Sequence, residues 1–592
     1  MQETFDWLYE KSQNKETKGI DLYGLIISEQ NILLAYRNIK SNTGSKTSGV
    51  DKLTINDYKI KDQESFIKEI REALENYQPQ MVRRVEIPKP NGKIRPLGIP
   101  TMRDRLIQQM FKQILEPICE ARFHKHSYGF RPNRSAHHAI ARCNFMIGIV
   151  GNHYTVDLDI KSFFDNVNHT RLMKQLWNIG VKDKRVLAII YKILRAPIKG
   201  KGVPMKGTPQ GGILSPLLAN VVLNDLDWWI SNQWETFDSK KTYSTKSIQV
   251  AELKKTNLKE MYTVRYADDL KIFSRTSESA RRVYHATKGY IENRLKLEIS
   301  NEKSKITNLR KRKSEFLGFE MKAVLKRKKY VSNTFVSKKN KERIKQEIRK
   351  KVKEIQKHPN PQTVGEYNSF ILGIRNYYEV ASHVSVDFSK ISYQTSKTKR
   401  VRLIKNEKYG RPKRKTMLYR KCFKGNSKTY TISGVPMFPL EDTKWVLPKF
   451  FNPKINNYTE EGRKLIRERQ SGHIQNEISK MIKSFNRKRS VEYNDNRISK
   501  YSMQRGKCAI TQWFLTAEEI HCHHIISLLL GGTDKFQNLI IVHKDVHTLI
   551  HASREETINE LLGKLNLTNK QIEKVNELRK KCNLEEISIQ VN

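Results

Sequence analysis

Two acids stand side by side in Tyr266-Ala267-Asp268-Asp269, inside the apolar run TVRYADDLKIF, a pattern of two strands joined by a tight turn. Adjacent carboxylates repel one another unless a hard cation neutralises them, and Mg²⁺ favours one or two carboxylates plus the phosphate oxygens of a substrate. A third acid, Asp159, closes the alternating stretch YTVDLDI and is followed by aromatics in KSFFDNVNH. Such a set holds two metal ions about 3.5–4 Å apart, which activate a primer 3′-hydroxyl and steady a pyrophosphate leaving group. That is polymerase chemistry. A second constellation gathers near the C-terminus in the order His523-His524, Gly531-Gly532, Asn538, His547 and His551. His547 and His551 are four apart and share one helix face.

The elements that must position these groups are partly legible. The runs RRVEIP, YTVDLDI, TVRYADDLKIF and FLGFEM predict strands between Val82 and Phe319, and RDRLIQQMFKQILEPICEARF predicts a helix. The first acids therefore belong to an α+β core. Amphipathic helices precede it, broken by the loop SNTGSKTSGVDKLT. After it, SKKNKERIKQEIRKKVKEIQK spaces Ile and Val as a helix does, and a helical region runs to about residue 390. The densely basic SKTKRVRLIKNEKYGRPKRKTMLYRKCFKG predicts a solvated linker or an RNA-facing loop. The aromatic patch GVPMFPLEDTKWVLPKFF and the basic helix EGRKLIRERQ lead to the His-rich module from about Tyr501.

Composition narrows the partners. Among 592 residues, 111 Lys and Arg oppose 61 Asp and Glu, a formal net charge of +50, so a polyanion is the expected partner. With 38% hydrophobic and 9% aromatic residues the chain builds packed cores rather than a disordered basic tail. No stretch approaches the ~20 apolar residues of a membrane span, and MQETFDWLYEKSQNKETKG lacks the apolar region of a secretion signal. Six scattered cysteines without a CxxC pair argue against a disulfide framework and for a reducing compartment, bacterial cytosol or nucleoid, or an organellar matrix.

Seven blocks occur in order: IPKPNGKIRPLGIPTMRDRLIQQ, SYGFRPNRSAHHAI, VDLDIKSFFDNVNH, KGTPQGGILSPLLANVVLNDLD, RYADD, LEISNEKSKIT and FLGF. They resemble the finger and palm motifs of the reverse transcriptases of group II intron-encoded proteins. The resemblance implies an RNA-directed DNA polymerase in which Asp159, Asp268 and Asp269 bind two Mg²⁺. Phe164 matches the steric gate whose ring excludes a 2′-hydroxyl and favours dNTPs. Lys89 and Arg95 match the basic pair that clamps the incoming triphosphate. Gln210, in Pro209-Gln210-Gly211-Gly212, matches the residue lining the templating pocket, and Tyr266 either belongs to the substrate side or packs under the turn. Lys303 or Lys305 would protonate the leaving pyrophosphate, and the residues do not choose between them.

Residues 335–450, mostly through FILGIRNYYEVAS, resemble the thumb, or domain X, of the same family, which implies binding of group II intron RNA and help with its splicing. Tyr377 and Tyr378, at helical spacing, are expected in the core, with RNA contact left to the surrounding Lys and Arg. The C-terminal order resembles an HNH endonuclease, with His524 as general base on water, His523, His547 and His551 on one divalent ion, and Asn538 holding the loop that carries His524. Cys508-Ala509-Ile510-Thr511 keeps half of the usual CxxC and His543-Lys544-Asp545-Val546 lacks the second pair, which counts against a four-ligand structural zinc. His521-Cys522 stand where an acid is common.

The expected chain is thus α+β and multidomain, a right-hand polymerase with appended modules. Residues 1–80 form an N-terminal extension and the start of the fingers, 81–320 the fingers and palm, and 321–450 an α-helical thumb with a basic linker. A DNA-binding segment follows over 451–500, then a small ββα-metal HNH module over 501–592. The expected partners are intron RNA in a ribonucleoprotein, double-stranded target DNA and dNTPs, with no membrane and a dimer left open. The enzyme would nick target DNA and support retrohoming by target-primed reverse transcription. Two readings stay open beside it: a splicing factor that uses the polymerase fold as scaffold, and a host-domesticated reverse transcriptase without an intron. For the last module the alternatives are a cluster of satisfied helix-capping histidines or a decayed nuclease that still binds DNA.

Overall fold

A computed structural model describes residues 1–588 except 59, 61, 89–91, 93, 404–407, 414, 416, 424, 426, 470–476, 479 and 482–488. Lys89 and part of the expected DNA-binding segment therefore lie outside the described residues. The chain divides into two compact units, Met1–Pro453 and Lys454–Asn592.

In the first unit, helices Gln2–Gln13, Leu22–Ile26 and Glu29–Ser41 pack on the long helix Met102–Glu120. That helix has apolar residues on nearly every side, and Ile107, Met110, Phe111, Ile114 and Ile118 have no exposed surface. β1 (Arg83–Pro88) and β2 (Ile94–Ile99) form an antiparallel hairpin that stands largely exposed at its tip. The central sheet is antiparallel in the order β4-β5-β3-β6, built from β3 (Tyr154–Leu158), β4 (Met261–Tyr266), β5 (Asp269–Ser274) and β6 (Lys305–Asn308). Helices Ala136–Phe145 and Ser215–Asn232 pack against β4, and Ser277–Gly289 against β3, β5 and β6. Covering the sheet this way buries β4 and β5 almost throughout, which is why their sequences read as near-continuous apolar runs.

A second antiparallel sheet, β7 (Ser314–Phe316), β8 (Phe319–Lys326) and β9 (Lys329–Val336), leads into helices Lys338–Lys357, Pro361–Tyr378 and Val384–Leu403. In the first of these, Ile344, Ile348, Val352 and Ile355 bury one stripe while Lys and Arg cover the rest. The third corrects the expectation of a solvated linker after residue 390. The helix continues through SKTKRVRL to Leu403 because Phe388, Ile391, Thr395 and Leu403 keep one side buried while Lys390, Lys397 and Arg400 are exposed on the other. A small sheet of β10 (Lys408–Gly410), β11 (Thr429–Ile432) and β12 (Val435–Pro436) follows.

The second unit has its own core, including Leu515, Leu539, Ile541, Val546, Leu549 and Val575. β13 (Ile520–His524) pairs antiparallel with β14 (Leu539–His543), and helix Lys544–His551 follows directly. Helices Glu555–Leu565 and Asn569–Lys580 pack on that helix. All six cysteines are free thiols.

Candidate active site and histidine cluster

The β4–β5 register pairs Tyr266 with Asp269, so Ala267 and Asp268 alone make the turn. Ala267 has φ +56°, a left-handed conformation that a non-glycine residue holds only when its surroundings impose it. Arg265 imposes it. Its fully buried guanidinium donates to the Ala267 carbonyl at 2.7 Å and to Asn220 Oδ1 at 3.0 Å, and grips Asp227 through Nε at 2.8 Å and Nη2 at 2.6 Å. Asn220 and Asp227 lie on helix Ser215–Asn232, so the turn is bolted to a rigid element. On its other side the Tyr128 amide donates to the Arg265 carbonyl, and a Cβ on Gly129 would sit 2.3 Å from the Ala267 nitrogen. Only glycine permits that approach.

Asp159 ends the adjacent strand β3. Its amide donates to Ser304 Oγ, its carbonyl accepts from the Ser300 amide, and Lys303 Nζ lies 3.0 Å from its Oδ2. Lys303 rather than Lys305 therefore touches a candidate catalytic acid. Asp269 has an edge open to solvent, yet the protein packed around its carboxyl withdraws it from water, and repulsion from Asp268 and then Asp159 adds to the effect. Together they push its pKa up to about 6. Three acids whose charges resist one another suit a divalent cation. The sign is definite: below pH 6 a cation must displace a proton from Asp269, so its affinity falls by up to about tenfold per pH unit there. The Mg²⁺ concentration for half-maximal primer extension is expected to rise about fivefold between pH 6 and pH 5; a pH-independent value would contradict this electrostatic account.

Phe164, in the short helix Phe163–Asn166, is half-buried, with its ring edge-on to Phe130 at 6.3 Å and its carbonyl accepting from the Thr208 amide. Gln210 accepts a 2.6 Å bond from the Gly98 amide through its carbonyl and lines a cleft with Arg84, Lys201 and Lys206. Gly211 has φ +114°, and a Cβ there would lie 2.4 Å from the Gly98 carbonyl oxygen, so this loop closes on β2 only as glycine. Arg95 stands exposed on β2, and no hydrogen bond or ion pair joins it to the acids among the described residues. Tyr266 is half-buried opposite Asp269. The expectation of burial holds for Tyr378, at 2% exposure, but not for Tyr377, at 38%. Tyr377 stacks on Phe319 and donates its hydroxyl to the Leu317 carbonyl at 2.9 Å, because the left-handed Leu317-Gly318 turn brings that carbonyl to the helix end.

In the second unit, β13 turns His521 and His523 to one side of the hairpin, and the following helix presents His547 and His551 one turn apart. His523, His547 and His551 each bring one ligand atom within 4.8 Å of the others. His551 Nε2 and His523 Nδ1 are 3.3 Å apart, and the buried His523 Nε2 has no partner among the described residues. Burial, then mutual repulsion of the rings, lowers the pKa of His523 and His547 to about 3, so these imidazoles stay neutral with lone pairs available. A polar nitrogen buried without a partner is costly, and a metal ion would satisfy it.

His524 faces elsewhere. Its Nε2 meets Asp534 Oδ1 at 2.8 Å and its ring stacks on Tyr493. Asn538 bonds the Ile526 amide and carbonyl and the Thr533 carbonyl, closing the loop behind β13. Cys508 Sγ accepts from the His543 and Thr511 amides, which occupies the thiol within the fold.

Residues 87–321 match the family described as reverse transcriptase (RNA-dependent DNA polymerase). The chain is 36% identical to protein YkfC of Escherichia coli (strain K12) over 250 residues, 40% of this chain and 65% of YkfC. It is 32% identical over 443 residues to the group II intron-encoded protein LtrA of Lactococcus lactis subsp. cremoris, covering 63% of this chain and 72% of LtrA. The chain belongs to the group II intron-encoded protein family. A nuclear intron maturase 2, mitochondrial, of Arabidopsis thaliana is 28% identical over 179 residues, 23% of this chain and 24% of that protein. The reverse transcriptase match runs from the end of β1 into the first residues of β8 and so contains the whole acid turn and its supports. Among the described residues no helix is long and apolar enough to cross a membrane.

Arg265, Asp227, Asn220 and Gly129 were not singled out from the sequence, although a charged residue inside an apolar strand was a readable sign of a buried partner. Lys271 is another. Its fully buried ammonium, two residues past Asp269, pairs with Asp157 of β3, and Ser314 Oγ bonds both groups.

Proposed function

We propose that this chain is an RNA-directed DNA polymerase and intron maturase that also nicks target DNA through its histidine cluster, so that the cut strand primes reverse transcription of the intron. The observation that carries the reading is the rigid turn bearing Asp268 and Asp269, where burial, and then the charges of Asp268 and Asp159, raise the Asp269 pKa.

Asp159, Asp268 and Asp269 would hold Mg²⁺, which when bound lowers the pKa of a primer hydroxyl and neutralises charge on the leaving pyrophosphate. The chain's own part is positional. Arg265 keeps the turn from moving as charge builds, and Phe164 fills the space beneath the incoming sugar. Lys89 and Arg95 would meet the triphosphate. Lys303, drawn to Asp159, is the better placed of the two candidate lysines to deliver a proton to pyrophosphate. Phe164→Ala is expected to relax sugar discrimination, raising incorporation of rNTPs relative to dNTPs roughly a hundredfold, of the order of one good packing contact; unchanged selectivity in single-nucleotide extension would remove Phe164 from the gate.

Residues 321–450 serve in this reading as thumb and maturase surface, residues 451–500 as the DNA-binding segment and residues 501–592 as an HNH nuclease. His523, His547 and His551 would hold one divalent ion, which when bound stabilises phosphoryl charge. Asp534 fixes His524 with its proton on Nε2, leaving Nδ1 to take a proton from water. The test is strand nicking of duplex DNA: His524→Ala should lower it about 10²–10⁴-fold while metal binding, read by calorimetry, persists. Nicking that survives this change would refute the assignment of the base. The expected setting is bacterial cytosol or an organellar matrix, with intron RNA, target DNA and dNTPs as partners.

A further inference from the structure

A cavity of 670 Å³ lies in the first unit far along the chain from the polymerase motifs, lined by Tyr409, Tyr430, Lys399, Arg400, Lys428 and Glu441 among others. It is formed where helix Val384–Leu403 meets the β10–β11 pair, in the basic stretch that sequence alone assigned to a linker or loop. We infer that this cavity binds an unpaired guanosine of single-stranded RNA. The inference rests on the RNA-binding reading above and adds a base-reading site to it.

Four features support the inference. The size falls within the range of small-ligand sites and exceeds what one flipped-out nucleoside needs. Tyr409 is 60% exposed and braced by Tyr430, whose ring centroid lies 4.8 Å away, so an aromatic platform is held in place and open on one side. Stacking on such a ring is the usual means of capturing a splayed base. Arg400 and Lys428 are exposed at the rim, where the phosphates on either side of a bound nucleoside would lie.

The fourth feature selects the base. Glu441 faces the ammonium of Lys399, whose charge it favours, and beside the phosphates of an RNA its remaining accepting capacity suits donors on a base edge. Glu441 accepts from Ser392 Oγ through Oε2 at 2.7 Å, and its Oε1 accepts no hydrogen bond among the described residues. Guanine alone among the RNA bases offers two adjacent donors, N1–H and N2–H, to one carboxylate, with the O6 acceptor beside them. Lys399, its ammonium 5.8 Å from the Tyr367 ring centre, lines the same cavity and supplies a donor for O6. Along their pairing edges adenine, cytosine and uracil each present a single donor group, so each meets the carboxylate once where guanine meets it twice.

The test uses the full chain and fluorescein-labelled oligouridine carrying one central guanosine or one central adenosine. The guanosine probe should bind about tenfold tighter, Tyr409→Ala should remove that advantage, Tyr409→Trp should retain it, and Glu441→Gln should make the two probes equal. A probe with 6-thioguanosine at the centre should photocrosslink to peptides containing Tyr409 or Tyr430. Equal binding of both probes by the unaltered chain, or crosslinks mapped elsewhere, would overturn the site while leaving RNA binding intact. Binding of neither probe would instead defeat the underlying RNA-binding reading. Displacement of the guanosine probe by micromolar guanosine 5′-monophosphate would reassign the cavity to a free nucleotide and overturn the RNA assignment.

Discussion

Asp268→Ala is expected to lower primer extension on an RNA template roughly a thousandfold or more, with RNA affinity and the thermal unfolding midpoint nearly unchanged. The residue sits at a turn whose position is set by its neighbours, not by its own carboxylate, since Arg265 bonds the carbonyl of Ala267 and the Gly129 backbone packs against that residue. Removing the acid therefore deletes charge without deleting structure. Relief of repulsion should also let Asp269 ionise at lower pH, because after burial the charge of Asp268 contributes most to raising its pKa. A variant that kept a tenth of the activity would place the metal-binding chemistry somewhere other than this turn.

The second large effect concerns Arg265 and Asp227. Asp227→Ala leaves a guanidinium with about 1% of its side chain exposed and without its counter-charge, which typically costs 3–5 kcal/mol. The expected result is a correspondingly lower urea midpoint and little extension activity. Replacing both residues, as Arg265→Met with Asp227→Leu, removes the buried charges together and should recover much of the stability. It should not recover catalysis, because the bond from Arg265 to the Ala267 carbonyl, which holds the left-handed turn, is gone. Recovery of both would mean that the pair serves folding alone.

The fold was readable wherever periodicity and function coincided. TVRYADDLKIF showed its two strands and turn because a buried hairpin must be apolar except at its chemical tip, and the structure pairs Tyr266 with Asp269 as that pattern requires. The ββα order of the C-terminal module was an implication of its resemblance to HNH endonucleases, and β13, β14 and helix Lys544–His551 follow one another in that order. The supports were harder to see. Arg265 and Lys271 are cations inside buried strands, and their partners Asp227 and Asp157 lie 38 and 114 residues away, a separation that local pattern cannot bridge. The basic stretch after residue 390 was misread as a linker because charge density was taken for solvation. Four residues, Phe388, Ile391, Thr395 and Leu403, suffice to bury one face of a long helix while lysines and arginines cover the other. Tyr377 was assigned to the core with its neighbour Tyr378, and only the position of the Leu317-Gly318 turn explains why one ring is enclosed and the other half open.

Taken as chemistry, the first unit offers a rigid acid turn, and the second a cluster of neutral imidazoles and an oriented histidine. In the proposed reading both serve phosphodiester chemistry, one to form a bond and the other to break it. The claim on which the rest depends is the first. It is tested most directly by incubating the intact chain with an RNA template, an annealed DNA primer, dNTPs and Mg²⁺, after confirming that the protein is folded and bound to the template. Elongation of the primer to the template end, abolished by Asp268→Ala, is the predicted result. A folded, template-bound chain that adds no nucleotide would contradict the account and leave the polymerase fold as a scaffold for RNA binding.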